Sequence, residues 1–187
     1  MTILKVAQLG HPVLRQQAAS LTRSSLLSPD TQRLIDDMID TMREYEGVGL
    51  AAPQVHVSLR IFVAEVSQNS RYPEQADFNL QVFVNPQLEF LGAERVLGWE
   101  GCLSIADLRG EVPRCPKLRL KAWNREAKPV EHILEGFAAT IVQHETDHLD
   151  GIVYLDRMPD MRSLCFNREY DRYWRRDDDG DEQGSDE

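Results

Sequence analysis

A block of strand-like segments in the middle of the chain limits the possible folds most strongly. Five runs there are rich in β-branched and aromatic residues and are separated by turn-forming residues. They cover residues 59–66, 80–86, 88–101, 117–124 and 130–136. Helical patterns flank this block instead of alternating with its strands, which argues against a chain of βαβ units. The sequence therefore predicts an α+β fold in which antiparallel or mixed strands pack around a central helix, with a further helix towards each terminus.

The helix that precedes the strands has clear start signals. Ser28 suits the N-cap, Pro29 the first helical position and Asp30 the first turn. Apolar residues then recur at helical spacing and predict a buried stripe of Ile35, Met38, Ile39, Met42 and Tyr45. Gly47 is placed to cap the C-terminal end of this helix.

Two further helices are predicted after the strands. The central one runs from about Phe137 to Leu149 and ends at Asp150-Gly151. Near the C-terminus, a segment that mixes arginines with aromatic residues predicts an amphipathic helix. Its inward face would carry Leu164, Cys165, Tyr170 or Trp174.

Acidic residues are concentrated at the C-terminus. The 187-residue chain has 31 acidic and 21 basic residues, a formal charge of −10. Seven of the acids and no base lie in residues 177–187, so residues 1–176 hold 24 acids against 21 bases, a net charge of −3. We expect one folded domain at 1–176 and a disordered acidic tail at 177–187. This composition excludes a generally basic nucleic-acid-binding protein.

Targeting signals are not evident in the sequence. No run approaches the roughly 18 apolar residues of a transmembrane helix, and the N-terminus lacks the basic flank and apolar core of a signal peptide. We therefore expect a cytoplasmic protein without membrane contact. Three cysteines are too few, and odd in number, for a disulfide framework, so each is a buried apolar residue, a nucleophile or a metal ligand.

The strongest sign of chemistry is the segment HETDH at residues 144–148. Residues four apart lie on one helix face, so the two imidazoles can bind one metal ion. Glu145 lies between them and can act as a general base towards a water molecule on that ion. The alternative is a surface helix with two solvated histidines. The apolar run at 137–142 argues against full exposure and favours the metal site.

Two histidines leave a catalytic metal centre one protein ligand short. A third histidine six residues after His148 is excluded, because Tyr154 occupies that position. Glu169 lies 21 residues after His148 and is one candidate, as in gluzincin-type peptidases. A cysteine from another element is the other candidate.

Cys102 has the most suggestive surroundings of the three cysteines. It follows a strand-like run, and Gly101 before it allows the backbone to approach a ligand closely. Cys102 is therefore either a metal ligand or a core cysteine at a turn. Cys115 and Cys165 lack comparable surroundings and are interpreted as structural.

A glycine-containing segment, GVGLAAPQ at residues 47–54, is the third notable feature. It lacks the GxxxxGK[ST] pattern and so is not a phosphate-binding loop. It is either a tightly packed turn or a backbone segment that approaches a reaction centre closely, with Gln54 as a hydrogen-bond donor.

Together, GVGLAAPQ, EGCLS and QHETDHLDG resemble the three motifs of the peptide deformylase family, in the same order and at fitting separations. The segment ILKVAQLGHPVLRQQA is also similar to that family's N-terminus, so the resemblance covers about residues 3–160. It implies an enzyme that removes the N-terminal formyl group from newly made polypeptides and releases formate. The central helix of the predicted fold would then be a metal-binding HExxH helix.

The resemblance also implies roles for individual residues. The implied metal ligands are Cys102, His144 and His148. Glu145 would be the catalytic acid and base, and Gln54 and the backbone N–H of Leu103 would stabilise the oxyanion. Glu100 and Arg114 match a pair expected to brace the metal loop by a salt bridge.

Substrate contacts follow from the same resemblance. The implied substrate-binding residues are Val48, Gly49, Glu100, Arg109, Phe137 and Ile141. Val48 and Gly49 match the loop that hydrogen-bonds the substrate main chain. Phe137 and Ile141 lie on the His144 face of the helix and are candidate walls of an apolar pocket for methionine.

The implied cofactor is one divalent metal ion per chain. The family uses Fe(II) in the cell, and a thiolate with two imidazoles also suits Zn, Ni or Co. The implied partners are nascent peptides that begin with formylmethionine, with a transient ribosome contact but no stable nucleic-acid complex and no membrane.

Two positions depart from the family pattern, and two other functions stay open. Ala106 stands where the family usually has proline, and Thr146 where methionine is common, which leaves loop rigidity and substrate range undecided. A gluzincin-like metallopeptidase would use His144, His148 and Glu169, but it leaves Cys102 unexplained. A non-catalytic binding module with a structural metal site is the third interpretation.

Overall fold

A computed structural model of the protein describes residues 2–67 and 78–175. Within them the strands are β1 (Gly49–Ala51), β2 (Ile61–Val66), β3 (Phe78–Phe90), β4 (Val96–Cys102), β5 (Ile105–Arg114), β6 (Lys117–Trp123), β7 (Pro129–Glu135) and β8 (Cys165–Phe166). The α-helices are α1 (Arg23–Leu26), α2 (Pro29–Glu44), α3 (Gly136–Leu149) and α4 (Asn167–Tyr173). Short 3₁₀ turns occur at Pro12–Arg15, Ala52–Val55 and Tyr154–Arg157. The predicted acidic tail at 177–187 lies outside the described residues.

The strands form two antiparallel sheets. The first has five strands in the order β1-β2-β3-β6-β7, and the second has three in the order β4-β5-β8. Neighbouring strands in both sheets run antiparallel. This confirms the predicted α+β class. None of the described helices combines the length and the apolar character needed to cross a bilayer.

The five-stranded sheet lies between α2 and α3. Successive residues of a strand point to opposite faces of a sheet. Phe62 and Ala64 of β2 pack in a cluster with residues of α3, whereas Ile61 and Val63 pack in a second cluster with residues of α2. Burial on both faces explains the nearly continuous apolar sequence of β2. The second half of α3, residues 141–149, is buried throughout, so the HETDH segment lies inside the molecule.

Helix α2 begins where the sequence predicts, and its end differs in one detail. The Ser28 hydroxyl accepts a hydrogen bond from the Thr31 N–H, and four residues of the predicted stripe are buried, while Tyr45 is exposed. Glu46, not Gly47, takes the left-handed conformation that ends the helix, with φ 52°. Gly47 donates to the Met42 carbonyl and lies against Leu103, where a Cβ would be 3.1 Å from Leu103 Cδ1.

The strands differ from the prediction in the middle of the block. The runs predicted at 80–86 and 88–101 have different bounds in the structure. Strand β3 continues through a bulge to Phe90, and β4 begins at Val96. Strand β5 was not predicted. Its buried positions include Gly110, Val112 and Arg114, so a glycine and an arginine conceal the alternation of apolar and polar residues.

The C-terminal helix is shorter than predicted and has no buried residue. Leu164 precedes it, and Cys165 belongs to β8, opposite Arg109 of β5. Tyr170 does face the body of the protein, with its ring centroid 4.9 Å from that of Trp99. Trp174 follows the helix and is 55% exposed, although its ring centroid is 5.7 Å from that of Trp99. The prediction of an inward-facing amphipathic helix is therefore right for Tyr170 and wrong for Leu164, Cys165 and Trp174.

Candidate metal centre

The polar end of α3 is unusual because six consecutive polar residues, 143–148, are all buried. Such groups need hydrogen-bond or metal partners to offset their desolvation. Gln143 finds its partners in the backbone of Cys115, since it accepts from the Cys115 N–H at 3.0 Å and donates to the Cys115 carbonyl at 2.9 Å. Of the remaining five residues, His144, Glu145, Asp147 and His148 form the site and its supports, whereas the Thr146 hydroxyl has no hydrogen-bond partner among the described residues.

Cys102, His144 and His148 come together at the end of α3. One ligand atom of each lies within 4.8 Å of the others, and Cys102 Sγ is 3.2 Å from His148 Nε2. Metal–ligand bonds of about 2.0–2.3 Å in a tetrahedral centre need donor atoms roughly 3–4 Å apart. A soft thiolate with two imidazoles is also a donor set that transition metals prefer. The three residues therefore fit a metal ion.

Local structure explains how the cysteine reaches the helix. Cys102 is the last residue of β4, and the two-residue turn that follows leads directly into β5, where Ile105 pairs with Cys102. Burial lowers the pKa of His148 well below its usual value, so its imidazole is neutral, as a metal ligand must be.

Glu100 holds the other imidazole. Its Oε2 lies 2.7 Å from His144 Nδ1, while Arg114 donates from Nε to Oε1 at 2.7 Å and from Nη2 to Oε2 at 3.1 Å. Burial alone would raise the pKa of Glu100, but the hydrogen bonds from His144 and Arg114 lower it to about 2. The carboxylate is therefore ionised, and it accepts the proton of His144 Nδ1, which leaves Nε2 as the atom that can bind a metal. Burial opposes the charged form of His144, but hydrogen bonds with Cys102 and Glu100 raise its pKa well above the usual value, so a metal ion would replace the proton on Nε2. The predicted salt bridge to Arg114 is present, and both oxygens of Glu100 are engaged.

Glu145 is 4% exposed and lies against the backbone of β1. Burial raises the pKa of its carboxyl to about 7, with His144 opposing this effect. Among the described residues, its Oε2 has no hydrogen-bond partner. A Cβ on residue 49 would lie only 2.8 Å from Cδ and 2.9 Å from Cγ of Glu145, so Gly49 is needed for this close approach.

Gln54 is buried beside the cysteine. Its Oε1 accepts from the Ala51 N–H at 2.8 Å, which fixes the amide with Nε2 towards Cys102 Sγ at 3.5 Å and Ser104 Oγ at 3.3 Å. Leu103 follows Cys102 in the turn, and its carbonyl accepts from Gln8 Nε2 at 3.2 Å.

A cavity of about 450 Å³ joins these residues. The predicted residues on its wall are Val48, Gly49, Gln54, Glu100, Cys102, Leu103, Arg109, Phe137, Ile141, His144 and Glu145. His148 lies behind the wall and is nearly inaccessible. Thr140 and Trp99 also line the cavity and were not predicted. The structure thus brings the predicted site residues together around one space.

Helix α4 supports one side of this cavity. Arg109 Nε donates to Asn167 Oδ1 at 3.1 Å, and the guanidinium lies 5.0 Å from the centroid of the Tyr170 ring. Asn167 itself lines the cavity. Arg109 is therefore held on the wall by α4.

The other candidate ligands lie elsewhere. Glu169 pairs with Arg168 at 2.9 Å and is not part of the cysteine–histidine–histidine group. Buried Cys115 places its Sγ 3.1 Å from the Lys117 carbonyl, and Cys165 lies in β8. The geometry does not favour the peptidase alternative.

Asp147 and Arg157 were missed by sequence reasoning. Asp147 binds both Arg114 and Arg157 at the back of the helix. No sequence pattern pairs these residues, because the contact depends on how the segment after α3 turns back over the helix.

Comparisons with known proteins agree with this geometry. The model of the polypeptide deformylase family matches residues 3–164. Peptide deformylase of Leptospira biflexa serovar Patoc is 40% identical over 174 residues, which cover 91% of this chain and 96% of that protein. Peptide deformylase 1 of Prochlorococcus marinus is 39% identical, over 90% of this chain and 88% of that protein.

Solved structures give the same result. The class I type b peptide deformylase of Acinetobacter baumannii, solved with Met-Ala-Ser bound, has a TM-score of 0.81 and 41% identity, over 84% of this chain and 99% of that chain. The peptide deformylase of Thermotoga maritima has a TM-score of 0.74 and 34% identity, over 86% of this chain and 100% of that chain.

Proposed function

Because this chain belongs to the peptide deformylase family, we propose that its cysteine–histidine–histidine group binds the metal ion on which the family's hydrolysis depends. The function of the chain is removal of the N-terminal formyl group from newly made polypeptides, which releases formate. The observation that supports the assignment of residues is that Cys102, Glu145 and Gln54 line one cavity.

The proposed metal ligands are Cys102, His144 and His148. A thiolate with two imidazoles suits Fe(II), Zn, Ni or Co, and we propose Fe(II) as the ion in the cell. When bound, the ion polarises the formyl carbonyl and makes water more acidic. Glu100 keeps His144 in the tautomer whose Nε2 can bind the ion.

Glu145 is the proposed general base and general acid. It takes a proton from the attacking water and returns a proton to the amine nitrogen as the bond between that nitrogen and the formyl carbon breaks. A pKa near 7 suits both transfers at neutral pH. The unpartnered Oε2 offers the lone pair that accepts the proton.

Gln54 and Leu103 are the proposed donors to the oxyanion of the tetrahedral intermediate. Gln54 Nε2 is held next to Cys102 Sγ, and the turn after Cys102 places Leu103 on the same wall of the cavity. The bond from Ala51 prevents the Gln54 amide from rotating, so the donor is in position before the reaction. Each such donor contributes about 10²–10³-fold in rate.

The substrate would enter between two sheet edges. β1 is at the edge of the five-stranded sheet and β4 at the edge of the other sheet, and residues of both line the cavity. We propose that Val48 and Gly49 pair with the peptide main chain as in β-augmentation. Phe137 and Ile141 would contact the methionine side chain, and Arg109 the peptide further along. The Met-Ala-Ser bound to the Acinetobacter baumannii relative supports a methionine-first peptide.

Formylated nascent peptides are accordingly the substrates. The domain organisation, the location and the ribosome contact of the protein are proposed on that basis. We propose that residues 1–176 act as a single catalytic domain, that 177–187 are an accessory tail, and that the protein works in the cytoplasm with transient contact to the ribosome. We propose that the protein forms no stable nucleic-acid complex and makes no membrane contact.

Formate release tests the proposal directly. Anaerobic protein loaded with Fe(II) should release formate from formyl-Met-Ala-Ser, and the same protein stripped of metal should not. We expect a kcat/KM within the usual enzymatic range of about 10⁴–10⁸ M⁻¹s⁻¹. The absence of turnover with Fe(II), Co(II), Ni(II) and Zn(II) alike would contradict the proposed function.

Metal content of two single variants separates the deformylase site from the peptidase alternative. Cys102→Ala should weaken metal binding by more than about 100-fold, because even an outer partner of a ligand contributes roughly 10–100-fold. Glu169→Ala is the matched control and should bind metal like the wild type, since Glu169 lies outside the group. The reverse result, with metal kept without Cys102 and lost without Glu169, would support the peptidase.

A further inference from the structure

Asp147 lies on α3 between the two histidines but faces away from the cavity. Its buried carboxylate accepts from Arg114 Nη1 at Oδ2 over 2.6 Å. It also accepts from Arg157 Nη2 at Oδ1 over 2.7 Å and from Arg157 Nε at Oδ2 over 3.2 Å. One carboxylate therefore joins two arginines from separate parts of the chain.

Arg114 connects this carboxylate to the candidate metal centre. It is buried, and its guanidinium donates to the carboxylates of both Asp147 and Glu100. Glu100 in turn holds His144 Nδ1 at 2.7 Å. A continuous path of charged hydrogen bonds thus runs from Arg157 at the surface through Asp147, Arg114 and Glu100 to the imidazole.

The charges along this path balance. Two carboxylates and two guanidinium groups give no net charge, which is the condition under which buried ions are tolerated. Removal of Asp147 would leave Arg114 Nη1 without its anionic partner, and only the two bonds to Glu100 would then hold the guanidinium. A shift of the guanidinium towards another partner would move the Glu100 carboxylate with it and loosen the hydrogen bond that orients His144.

We propose that Asp147 and Arg157 are positioning residues for His144, which act through Arg114 and Glu100 and make the metal centre slow to release its ion. The inference rests on the proposed metal centre and deepens it. It explains why Arg157, nearly half exposed, makes two bonds to a buried carboxylate.

The test compares Asp147→Asn and Arg157→Met with Arg43→Met. Arg43 is a matched control because its side chain is 52% exposed against 46% for Arg157, and it makes two bonds to one carboxylate, that of Glu65, outside the path. Protein loaded with Co(II) is mixed with excess chelator, and the decay of the cobalt absorption gives the rate of metal release. We expect release about 10-fold faster in both path variants, with shifted cobalt bands, and a wild-type rate in the control.

Combination of the two changes sharpens the test. In Asp147→Asn/Arg157→Met, release should be no faster than in Asp147→Asn alone, because both residues act through one path. Arg157→Met changes a half-exposed residue and keeps the test valid where Asp147→Asn folds poorly. Release rates and cobalt spectra equal to those of Arg43→Met would overturn the inference, whatever happens to the melting temperature. Failure of the wild type itself to bind Co(II) would instead overturn the metal centre.

Discussion

Replacement of Glu145 by glutamine is expected to lower formate release by roughly 10²–10⁴-fold while the metal content stays unchanged. Glutamine has nearly the same shape but cannot accept the proton from water or return it to the amine. Glu145 Oε2 has no hydrogen-bond partner among the described residues, so its loss breaks no structural bond. The measurement is kcat for formyl-Met-Ala-Ser together with metal per chain.

Stability distinguishes loss of chemistry from loss of fold in this variant. Burial of the Glu145 carboxylate is unfavourable, and a neutral amide removes that charge. Glu145→Gln should therefore melt at or above the wild-type temperature. Asp107→Asn is the matched control, because Asp107 lies on the same cavity wall, and its rate should stay within about threefold of the wild type. A rate within tenfold of the wild type in Glu145→Gln, at equal metal content, would contradict the role of Glu145 as base.

Local signals explain which parts of the fold could be predicted. The start of α2 follows from its N-cap serine, its proline and its apolar periodicity, and the end of α3 follows from the stop signal Asp150-Gly151, all of which act within one or two turns. Strand β5 has no such signal, since Arg114 is buried on its inner face where an apolar residue is expected. That arginine is buried because two carboxylates from other elements surround it, which no local pattern reveals.

The candidate site also has residues that local signals predict and residues that they do not. Spacing alone indicates two ligands on one helix face. The surroundings of Cys102 and Gln54 make them candidates from distant segments, and the family resemblance assigns their roles. The supports behind the ligands could not be predicted, because Asp147 and Arg157 meet only when the segment after α3 folds back. The end of α2 is a second feature that local signals did not predict. Glu46 adopts the left-handed conformation that was expected of Gly47, and Gly47 instead makes a close contact with Leu103.

Gly49→Ala should be the most damaging small substitution on the cavity wall. The backbone of residue 49 is an ordinary strand paired with Ala64, so the added methyl group is not opposed by the local conformation. It is opposed by Glu145, whose Cδ and Cγ would lie 2.8 and 2.9 Å from the new Cβ. The carboxylate must move, and displacement of a catalytic group by about 1 Å lowers kcat about 10²-fold. The buried overlap should also cost about 1–3 kcal/mol of unfolding free energy.

Two comparisons make this prediction specific to the contact with Glu145. Gly98→Ala in β4 is the matched control, because a Cβ there meets nothing within 4 Å, and it should leave kcat and stability unchanged. In a Glu145→Ala background the overlap is gone, so Gly49→Ala should no longer lower the free energy of unfolding. Thermal unfolding of the four proteins of this cycle measures the coupling. An equal stability loss from Gly49→Ala in both backgrounds would show that residue 49 needs glycine for a reason other than the position of Glu145.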